Sequence, residues 1–214
     1  MAVEVKICGI TTPEDAATAV AAGASWLGVV FAPGPRRIDA QRAGLVVAAA
    51  GTVPVLGVFG GQTEAEILAA CRDARLAGAQ LHGPYPVRVA SRLRRQGLLV
   101  WRVIRPQSEA DLASIGDYRA EASAVVVEPG VKGVWGGAGV ALPLESARLA
   151  RALLPGFRMV LAGGLTPETV ARAIATAGPD VVDVSSGVEL RPGIKDPSRL
   201  QRFMEAAVGH HTSA

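Results

Sequence analysis

The sequence has 214 residues, of which 50% are hydrophobic and 19% are charged, with a formal net charge of +3. This length fits one domain with a single large core, and the composition is globular rather than disordered or fibrous. No apolar run reaches the ~20 residues of a membrane span, no leader precedes the first apolar run, and two distant cysteines make no disulfide framework. We therefore expect a cytoplasmic protein with no membrane partner.

The densest basic cluster lies on a predicted helix and consists of Arg88, Arg92, Arg94 and Arg95. No aromatic platform of the kind that stacks on nucleobases accompanies these arginines. We therefore interpret the cluster as a solvated helix face and expect no nucleic-acid partner.

Short apolar runs alternate with alanine-rich stretches along the chain, at roughly one pair per 27 residues, which is the repeat of a strand followed by a helix. The apolar runs predict strands at Val3–Ile7, Trp26–Phe31, Val53–Phe59, Ala79–Leu81, Leu98–Val103, Ala124–Val127, Met159–Leu161 and Val181–Val184. The stretches between them predict helices at Pro13–Ala22, Ala40–Ala50, Glu64–Arg75, Pro86–Gln96, Gln107–Ile115, Leu144–Leu154, Pro167–Ala177 and Pro197–Val208.

Continuous apolar strands that alternate with helices are typical of a parallel sheet covered on both faces. Eight such units predict an α/β fold, a single-domain (β/α)8 TIM barrel over residues 1–208, with 209–214 as a disordered tail. The alternative is an open doubly wound sheet. Against that alternative, no Gly-x-Gly-x-x-Gly follows the first strand, where the chain instead reads Cys8–Thr11.

Helix boundaries also have local signals. Thr12, Thr166 and Asp196 each precede a proline and are predicted as N-caps, since a side-chain oxygen there can accept a free backbone N–H. Gly23 and Gly78 are predicted just beyond helix C-termini, where glycine is common.

Polar residues collect at the predicted carboxyl ends of the strands, where (β/α)8 barrels place their active sites. These candidates are Cys8, Arg36, Arg37, His82, Arg102, Arg105, Glu128, Gly163, Gly164, Asp183, Ser185, Ser186 and Gly187. Their common position is a stronger indication of a site than any single residue.

The loops after the seventh and eighth strands both contain glycine, at Gly163, Gly164 and Gly187, and the later loop adds Ser185 and Ser186. Barrels often bind phosphate with these two loops, because glycines allow close backbone approach and free N–H groups attract anions. The alternative is that the glycines only form tight turns. We favour a phosphate site because both loops carry them.

Cys8 and Glu128 are the candidate reactive groups. A free cysteine can be a small core residue, but Cys8 lies at a strand end beside Gly9, where we expect a thiolate with a lowered pKa. Cys71, in the middle of a helix, is interpreted as structural. Glu128 closes an apolar strand and would supply an acid opposite the thiolate, although a surface acid at a strand end is the alternative.

His82 follows the fourth strand and is as compatible with a structural role as with ligand contact. No other histidine or cysteine lies at metal-ligand spacing, so no metal site is expected.

With these residues in view, the chain resembles the phosphoribosylanthranilate isomerase family of tryptophan biosynthesis. The resemblance covers nearly the whole chain and depends on several motifs taken together. These are Lys6–Thr11, Gly28–Phe31, Gln80–Gly83, Leu161–Leu165, Val182–Glu189 and Pro192–Asp196.

The resemblance implies a (β/α)8 barrel that performs an Amadori rearrangement without a cofactor, acting on a small phosphoribosyl arylamine as a monomer or homodimer. It assigns the general base to Cys8 and the general acid, an aspartate in the family, to Glu128. Arg36 would bind the anthranilate carboxylate and Asp183 the bridging amine. His82 is kept as a substrate-binding candidate, and the phosphate would lie on Gly163, Gly164, Ser185, Ser186 and Gly187. Enclosure of Glu128 is expected to raise the pKa of its carboxyl group toward that of a proton donor.

Three departures from the family pattern concern the aryl end of the site. Glu128 is one methylene longer than the usual aspartate, and the loop 31–37 is one residue shorter. The segment 136–144 has Ala138 in place of threonine and Leu142–Leu144 in place of aromatic residues. Two further hypotheses therefore stay open. The chain could isomerise another N-(5-phosphoribosyl)arylamine, or it could be a non-catalytic barrel that binds phosphosugars.

Overall fold

A computed structural model of the protein describes residues 2–106, 108–112, 115–130 and 143–209. The strands are β1 (Glu4–Cys8), β2 (Trp26–Val30), β3 (Val55–Phe59), β4 (Gly78–Leu81), β5 (Leu99–Ile104), β6 (Ala124–Val127), β7 (Met159–Ala162), β8 (Val181–Val184), β9 (Glu189–Arg191) and β10 (Ile194–Lys195). The helices are α1 (Pro13–Ala21), α2 (Ala40–Ala50), α3 (Glu64–Asp73), α4 (Val87–Arg95), α5 (Glu109–Leu112), α6 (Leu144–Leu153), α7 (Val170–Ala177) and α8 (Pro197–Val208).

The first eight strands form a closed barrel in chain order, and every neighbouring pair is parallel. The barrel closes between β1 and β8, where Lys6 pairs in register with Asp183. This closure confirms the (β/α)8 barrel and excludes the open doubly wound sheet. Strands β9 and β10 form a separate antiparallel hairpin between β8 and α8.

Two apolar layers result from the alternation of side chains along each strand. In β6, Ala124 and Val126 belong to a small cluster with Leu56 and Trp101, while Val125 and Val127 join the large cluster that includes residues of the helices. The small cluster fills the barrel interior, and the large cluster packs the helices against the outside of the barrel. We call the positions whose side chains point into the barrel the interior register. The last residue of this register on each strand lies at the carboxyl end of the barrel.

The predicted helix starts are only partly correct. Thr12 and Asp196 accept backbone N–H groups as predicted, from Asp15 at 3.1 Å and from Ser198 at 2.9 Å. The Thr166 cap is wrong, because Thr169 Oγ1 accepts the Thr166 N–H at 3.0 Å and the preceding residues form a turn. Helix α7 consequently begins three residues later than predicted.

Of the two glycines predicted just beyond helix C-termini, one is in the predicted place and the other is not. Gly23 has φ +96° just beyond α1, as a helix-terminating glycine should. Gly78 belongs to β4 instead, where an added Cβ would lie 2.2 Å from the Leu99 carbonyl oxygen. That glycine is required by the close approach of β5.

The arginines of the basic cluster lie on α4 with exposed side chains, as expected of a solvated helix face. Among the residues described, no helix has the length and apolar character to cross a membrane. The predicted tail lies outside the described residues from position 210 onward.

Candidate active site

A cavity of about 280 Å³ opens at the carboxyl ends of the barrel strands. The predicted site residues that line it are Cys8, Arg36, His82, Glu128, Gly163, Gly164, Asp183, Ser185 and Ser186. The structure therefore brings together residues that are up to 178 positions apart in the chain. Gly187 follows Ser186 directly and packs against the loop after β7. Arg37 is exposed, and Arg102 turns its guanidinium to the Tyr85 carbonyl oxygen at 3.0 Å, so neither belongs to the cavity wall.

Lys6 and Asp183 form a buried ion pair beneath this cavity. Lys6 Nζ lies 2.9 Å from Asp183 Oδ2 and 5.9 Å from the centre of the Trp101 ring, and the lysine is 0% exposed. Burial raises the pKa of Asp183 although Lys6 opposes this effect. Burial alone would lower the pKa of Lys6, but the neighbouring Asp183 and Cys8 outweigh it and raise that pKa.

Lys6 was absent from the predicted site although the sequence carried a signal for it. A lysine in the middle of a buried apolar strand is rare unless it is paired. Lys6 also precedes Cys8 by two positions, so both side chains belong to the interior register.

Cys8 lies at the end of β1 with its thiol toward the barrel interior. An added Cβ on Gly28, its partner in β2, would lie 2.8 Å from Cys8 Sγ and 3.1 Å from Lys6 Nζ, so glycine leaves the space that both groups occupy. Burial raises the pKa of the Cys8 thiol, and Lys6 and Lys195 offset only part of this effect. The expected lowering of that pKa is wrong, because desolvation of the thiolate dominates.

Glu128 follows β6 in the interior register and is 7% exposed. Its Oε1 lies 2.8 Å from His82 Nε2 and 2.5 Å from Arg105 Nε. Burial favours the protonated carboxyl, but His82 and Arg105 outweigh burial and lower the pKa of Glu128. The prediction of a raised pKa is therefore wrong, because the sequence did not show which cations the neighbouring strands would supply. His82 is both buried and part of the cavity wall, so its two open interpretations are compatible.

Arg36 projects into the cavity while its guanidinium is anchored at one edge. Its Nε and Nη2 donate to the two carboxylate oxygens of Glu189 at 2.8 and 2.6 Å. Lys195 Nζ also donates to Glu189 Oε1, at 3.0 Å, and to the Cys8 carbonyl oxygen, at 2.6 Å. Glu189 and Lys195 lie within motifs of the family resemblance, but nothing in the sequence alone assigned them a role.

The loops after β7 and β8 pack closely because glycine occupies the contact points. Gly163 has φ +98°, and an added Cβ there would lie 2.0 Å from Pro129 Cδ. An added Cβ on Gly187 would lie 2.0 Å from the Leu165 carbonyl oxygen. The residues from Ser186 to Val188 form a short 3-10 helix directly after Ser185. This arrangement exposes backbone at the cavity edge, as a phosphate site requires.

Three buried oxygens of the cavity wall have no hydrogen-bond partner among the residues described: Gln80 Oε1, Asp183 Oδ1 and Ser185 Oγ. Buried polar atoms in folded proteins normally have a partner, since leaving one unpaired costs about 1–3 kcal/mol. These atoms therefore mark positions where a ligand with hydrogen-bond donors would be received. Gln80 was quoted within a motif but was not predicted as a site residue.

Cysteine and carboxylate at the carboxyl ends of barrel strands, beside glycine-rich loops after β7 and β8, define the class of this protein: a (β/α)8-barrel enzyme.

Comparison with known proteins gives the particular family. Residues 5–206 match the family model described as N-(5'phosphoribosyl)anthranilate (PRA) isomerase. The chain is 40% identical to the N-(5'-phosphoribosyl)anthranilate isomerase of Symbiobacterium thermophilum, covering 96% of this chain and 98% of that protein. The chain belongs to the N-(5'-phosphoribosyl)anthranilate isomerase family.

Solved structures agree with this assignment. The phosphoribosyl anthranilate isomerase of Thermus thermophilus superposes with a TM-score of 0.87 at 35% identity, over 97% of this chain and 99% of that one. A phosphoribosyl anthranilate isomerase in complex with reduced 1-(o-carboxyphenylamino)-1-deoxyribulose 5-phosphate has a TM-score of 0.84 at 31% identity, with the same coverage.

Proposed function

We propose that this protein converts N-(5'-phosphoribosyl)anthranilate into 1-(2-carboxyphenylamino)-1-deoxyribulose 5-phosphate, the Amadori rearrangement of tryptophan biosynthesis, without a cofactor. The observation that carries the proposal is the presence of Cys8 and Glu128 in one cavity, on β1 and after β6, with glycine-rich loops beside them. Family membership supports the choice of reaction.

In the first step, Glu128 donates a proton to the furanose ring oxygen, and the bond from this oxygen to C1 breaks. The electrons of the bridging nitrogen form the protonated Schiff base. Glu128 must carry a proton to act, whereas its contacts with His82 and Arg105 favour the ionised form. Entry of a substrate with a phosphate and a carboxylate brings negative charge near Glu128 and raises the pKa of its carboxyl group.

In the second step, the Cys8 thiolate removes the proton from C2. The electron pair of the C2–H bond forms a double bond between C1 and C2, and the π electrons of the iminium bond return to nitrogen to give an enolamine. The enolamine then tautomerises to the ketone. The iminium cation formed in the first step favours the thiolate, as do Lys6 and Lys195, and together they oppose the desolvation that raises the pKa of Cys8. Ring opening thus prepares the base for the next proton transfer.

The remaining site residues hold the substrate. Asp183 Oδ1 is placed to accept the N–H of the bridging amine, since it is buried in the cavity wall without a partner among the residues described. The phosphate would bind at Gly163, Gly164, Ser185, Ser186 and Gly187, and Arg36 would receive the aryl carboxylate. His82 would contact the substrate from the same side of the cavity as Glu128.

The proposed substrate class is a small phosphoribosyl arylamine, and the identity of its aryl group is to be tested by experiment. The loop that carries Arg36 lies in the cavity wall, whereas the segment 131–142 is outside the described residues. The cytoplasmic location, the absence of nucleic-acid partners and a monomeric or homodimeric state stay predictions.

The decisive experiment compares Cys8→Ala with Cys71→Ala in an assay of N-(5'-phosphoribosyl)anthranilate isomerisation. Loss of the base should lower kcat/KM at least about 100-fold for Cys8→Ala. Cys71 is buried in α3, where burial raises the pKa of its thiol to about 12, so Cys71→Ala should keep kcat/KM within about twofold of the wild type. Equal activity of the two variants would remove Cys8 from the mechanism. Rescue of a tryptophan auxotroph that lacks this isomerase tests the substrate in the cell.

A further inference from the structure

The hairpin of β9 and β10 carries two buried charged residues, Glu189 and Lys195, and the proposed reaction uses them only through the effect of Lys195 on the Cys8 thiol. Glu189 is 5% exposed and binds Arg36 of the cavity wall, and Lys195 is 2% exposed and binds Glu189. We call Arg36, Glu189 and Lys195 the carboxylate-site cluster.

Lys195 is held as an ammonium group by three acceptors. Its Nζ donates to the Cys8 carbonyl oxygen at 2.6 Å, to the Ser185 carbonyl oxygen at 3.2 Å and to Glu189 Oε1 at 3.0 Å. An ammonium has three N–H donors, and each has one acceptor here. Burial lowers the pKa of Lys195 and Glu189 opposes this effect. The three acceptors are those that an ammonium group requires, so the geometry favours a positive charge at the carboxyl ends of β1 and β8.

Glu189 is the shared anion of the cluster. It accepts two hydrogen bonds from the Arg36 guanidinium and one from Lys195, and the Gly193 backbone N–H also points to it at 3.3 Å. Arg36 and Glu189 alone would form a neutral pair with little attraction for an anion. Lys195 leaves the cluster with one excess positive charge, which matches one carboxylate on the ligand.

Other charges near the cluster do not cancel this excess when substrate binds. Cys8 faces Lys195 but is uncharged as the thiol, the form that burial favours. Asp15 accepts the backbone N–H of Lys195 at 3.2 Å from α1, but this carboxylate is half-exposed, so solvent screens its charge. Asp183 is neutralised by Lys6 at 2.9 Å.

We propose that Glu189 and Lys195 are positioning residues for the substrate carboxylate: Glu189 fixes the orientation of Arg36, and Lys195 supplies the charge that makes the site electropositive. This inference rests on the proposed function, because it assumes that Arg36 receives the aryl carboxylate. It extends the recognition site to the β9–β10 hairpin, which is otherwise a connection between β8 and α8.

The test measures discrimination between two substrates that differ only in the carboxylate. The condensation products of ribose 5-phosphate with anthranilate and with aniline serve as the pair, and the readout is the ratio of their kcat/KM values. Lys195→Met should lower this ratio about tenfold or more, because the cluster then has no excess charge. The double variant Lys195→Met with Glu189→Gln restores one excess positive charge, and its ratio should recover several-fold relative to Lys195→Met.

Arg199→Met is the matched control. Arg199 Nη1 donates to the backbone carbonyl oxygen of Glu189 at 2.9 Å, so this variant removes one positive charge and loosens the same hairpin without touching the guanidinium of Arg36. Its discrimination ratio should stay within about twofold of the wild-type ratio. Circular dichroism and thermal unfolding confirm that each variant is folded.

Three outcomes would overturn the inference: equal losses on both substrates in Lys195→Met, no recovery in the double variant, or the same fall in the ratio for Arg199→Met. Failure of the proposed function has a different signature, since the wild type would then isomerise neither substrate. In that case calorimetric binding of anthranilate against aniline, in the wild type and in Lys195→Met, tests the carboxylate site alone.

Discussion

Glu128 is held through one carboxylate oxygen by two side chains that follow the two preceding strands. His82 follows β4 and Arg105 follows β5, and their nitrogens lie 2.8 and 2.5 Å from Oε1. This geometry explains why a glutamate fits the position, since its length lets the carboxylate reach both partners. Two nitrogen partners on one oxygen also fix the side chain, so its position is set by packing and these contacts together.

We expect Glu128→Gln and Glu128→Asp both to lower activity, for different reasons. Glutamine keeps the length and removes the ionisable group, so kcat should fall at least about 100-fold. Aspartate keeps the acid but withdraws it by about 1 Å, which can cost on the order of 100-fold in rate. Steady-state kinetics with N-(5'-phosphoribosyl)anthranilate measure both effects. Wild-type kcat in Glu128→Gln would exclude it as the acid, and a faster Glu128→Asp would show that the longer side chain is not matched to this site.

Cys8, Glu128 and Asp183 could be located from the sequence because they are polar residues at the predicted carboxyl ends of strands, where (β/α)8 barrels place their active sites. The pKa directions at Cys8 and Glu128 could not be obtained in this way. They depend on Lys6, His82, Arg105 and Asp183, which belong to other strands or precede the residue on its own strand. Position follows a local rule, whereas the charge state depends on neighbours that only the closed barrel brings into contact.

Among the elements, the loops after β7 and β8 show how backbone contact shapes the proposed phosphate site. Each uses a glycine where a methyl group would collide with its neighbour, at Gly163 against Pro129 and at Gly187 against Leu165. Both glycines were predicted as phosphate-loop residues. Their contact partners were not, since loop-to-loop distances have no signature in the sequence.

Gly187→Ala should displace these two loops. The new Cβ would lie 2.0 Å from the Leu165 carbonyl oxygen, so the backbone must shift, at a cost of about 1–3 kcal/mol in unfolding free energy. We expect KM for the phosphoribosyl substrate to rise about tenfold and competitive inhibition by inorganic phosphate to weaken in parallel. Gly116→Ala is the control, because an added Cβ there meets nothing within 4 Å. Unchanged phosphate inhibition in a folded Gly187→Ala would place the phosphate elsewhere.

The bounds of helices and strands also show which features can be predicted from the sequence and which depend on neighbouring segments. The strands at Ala124–Val127 and Val181–Val184 and the helices at Ala40–Ala50 and Pro197–Val208 have the bounds that the sequence predicts. The helix predicted at Gln107–Ile115 is reduced to Glu109–Leu112 among the residues described, and a 3-10 helix covers Ile115–Ala120. Strong apolar runs determine the buried elements, while short polar segments take the form that their surroundings allow.

At the scale of the whole molecule, the buried carboxylates link stability to pH. The pKa values of Glu128 and Glu189 are lowered in the folded protein by their cationic partners, against the effect of burial. The unfolded chain therefore binds more protons than the folded one as pH falls below the ordinary glutamate pKa near 4.5. The stabilisation is complete above that pH and is lost as pH falls through the lowered values. Asp183, whose pKa is raised by burial, contributes in the opposite direction.

Thermal unfolding between pH 7 and pH 3 should show this dependence. The melting temperature of the wild type should fall with increasing steepness below about pH 4.5. Glu128→Gln lacks one of the two buried glutamates whose pKa is lowered, so its curve should fall less over the same interval, whatever its melting temperature at pH 7. Parallel curves for the two proteins would mean that Glu128 has the same pKa in the folded and unfolded states.

Closure of the barrel between β1 and β8 has a consequence for the order of events during synthesis. Lys6 bonds to Asp183, and the Cys8 carbonyl oxygen to Lys195, across 177 and 187 positions of the chain. The thiol of Cys8 emerges from the ribosome among the first residues, yet Asp183 and Lys195 follow only after α7 has been made. A nascent chain that ends before β8 therefore leaves one edge of the first strand unpaired and open to pairing with another chain. Activity and protection of that edge both depend on the arrival of β8, so a premature stop before β8 should yield an aggregating protein rather than a weakened enzyme.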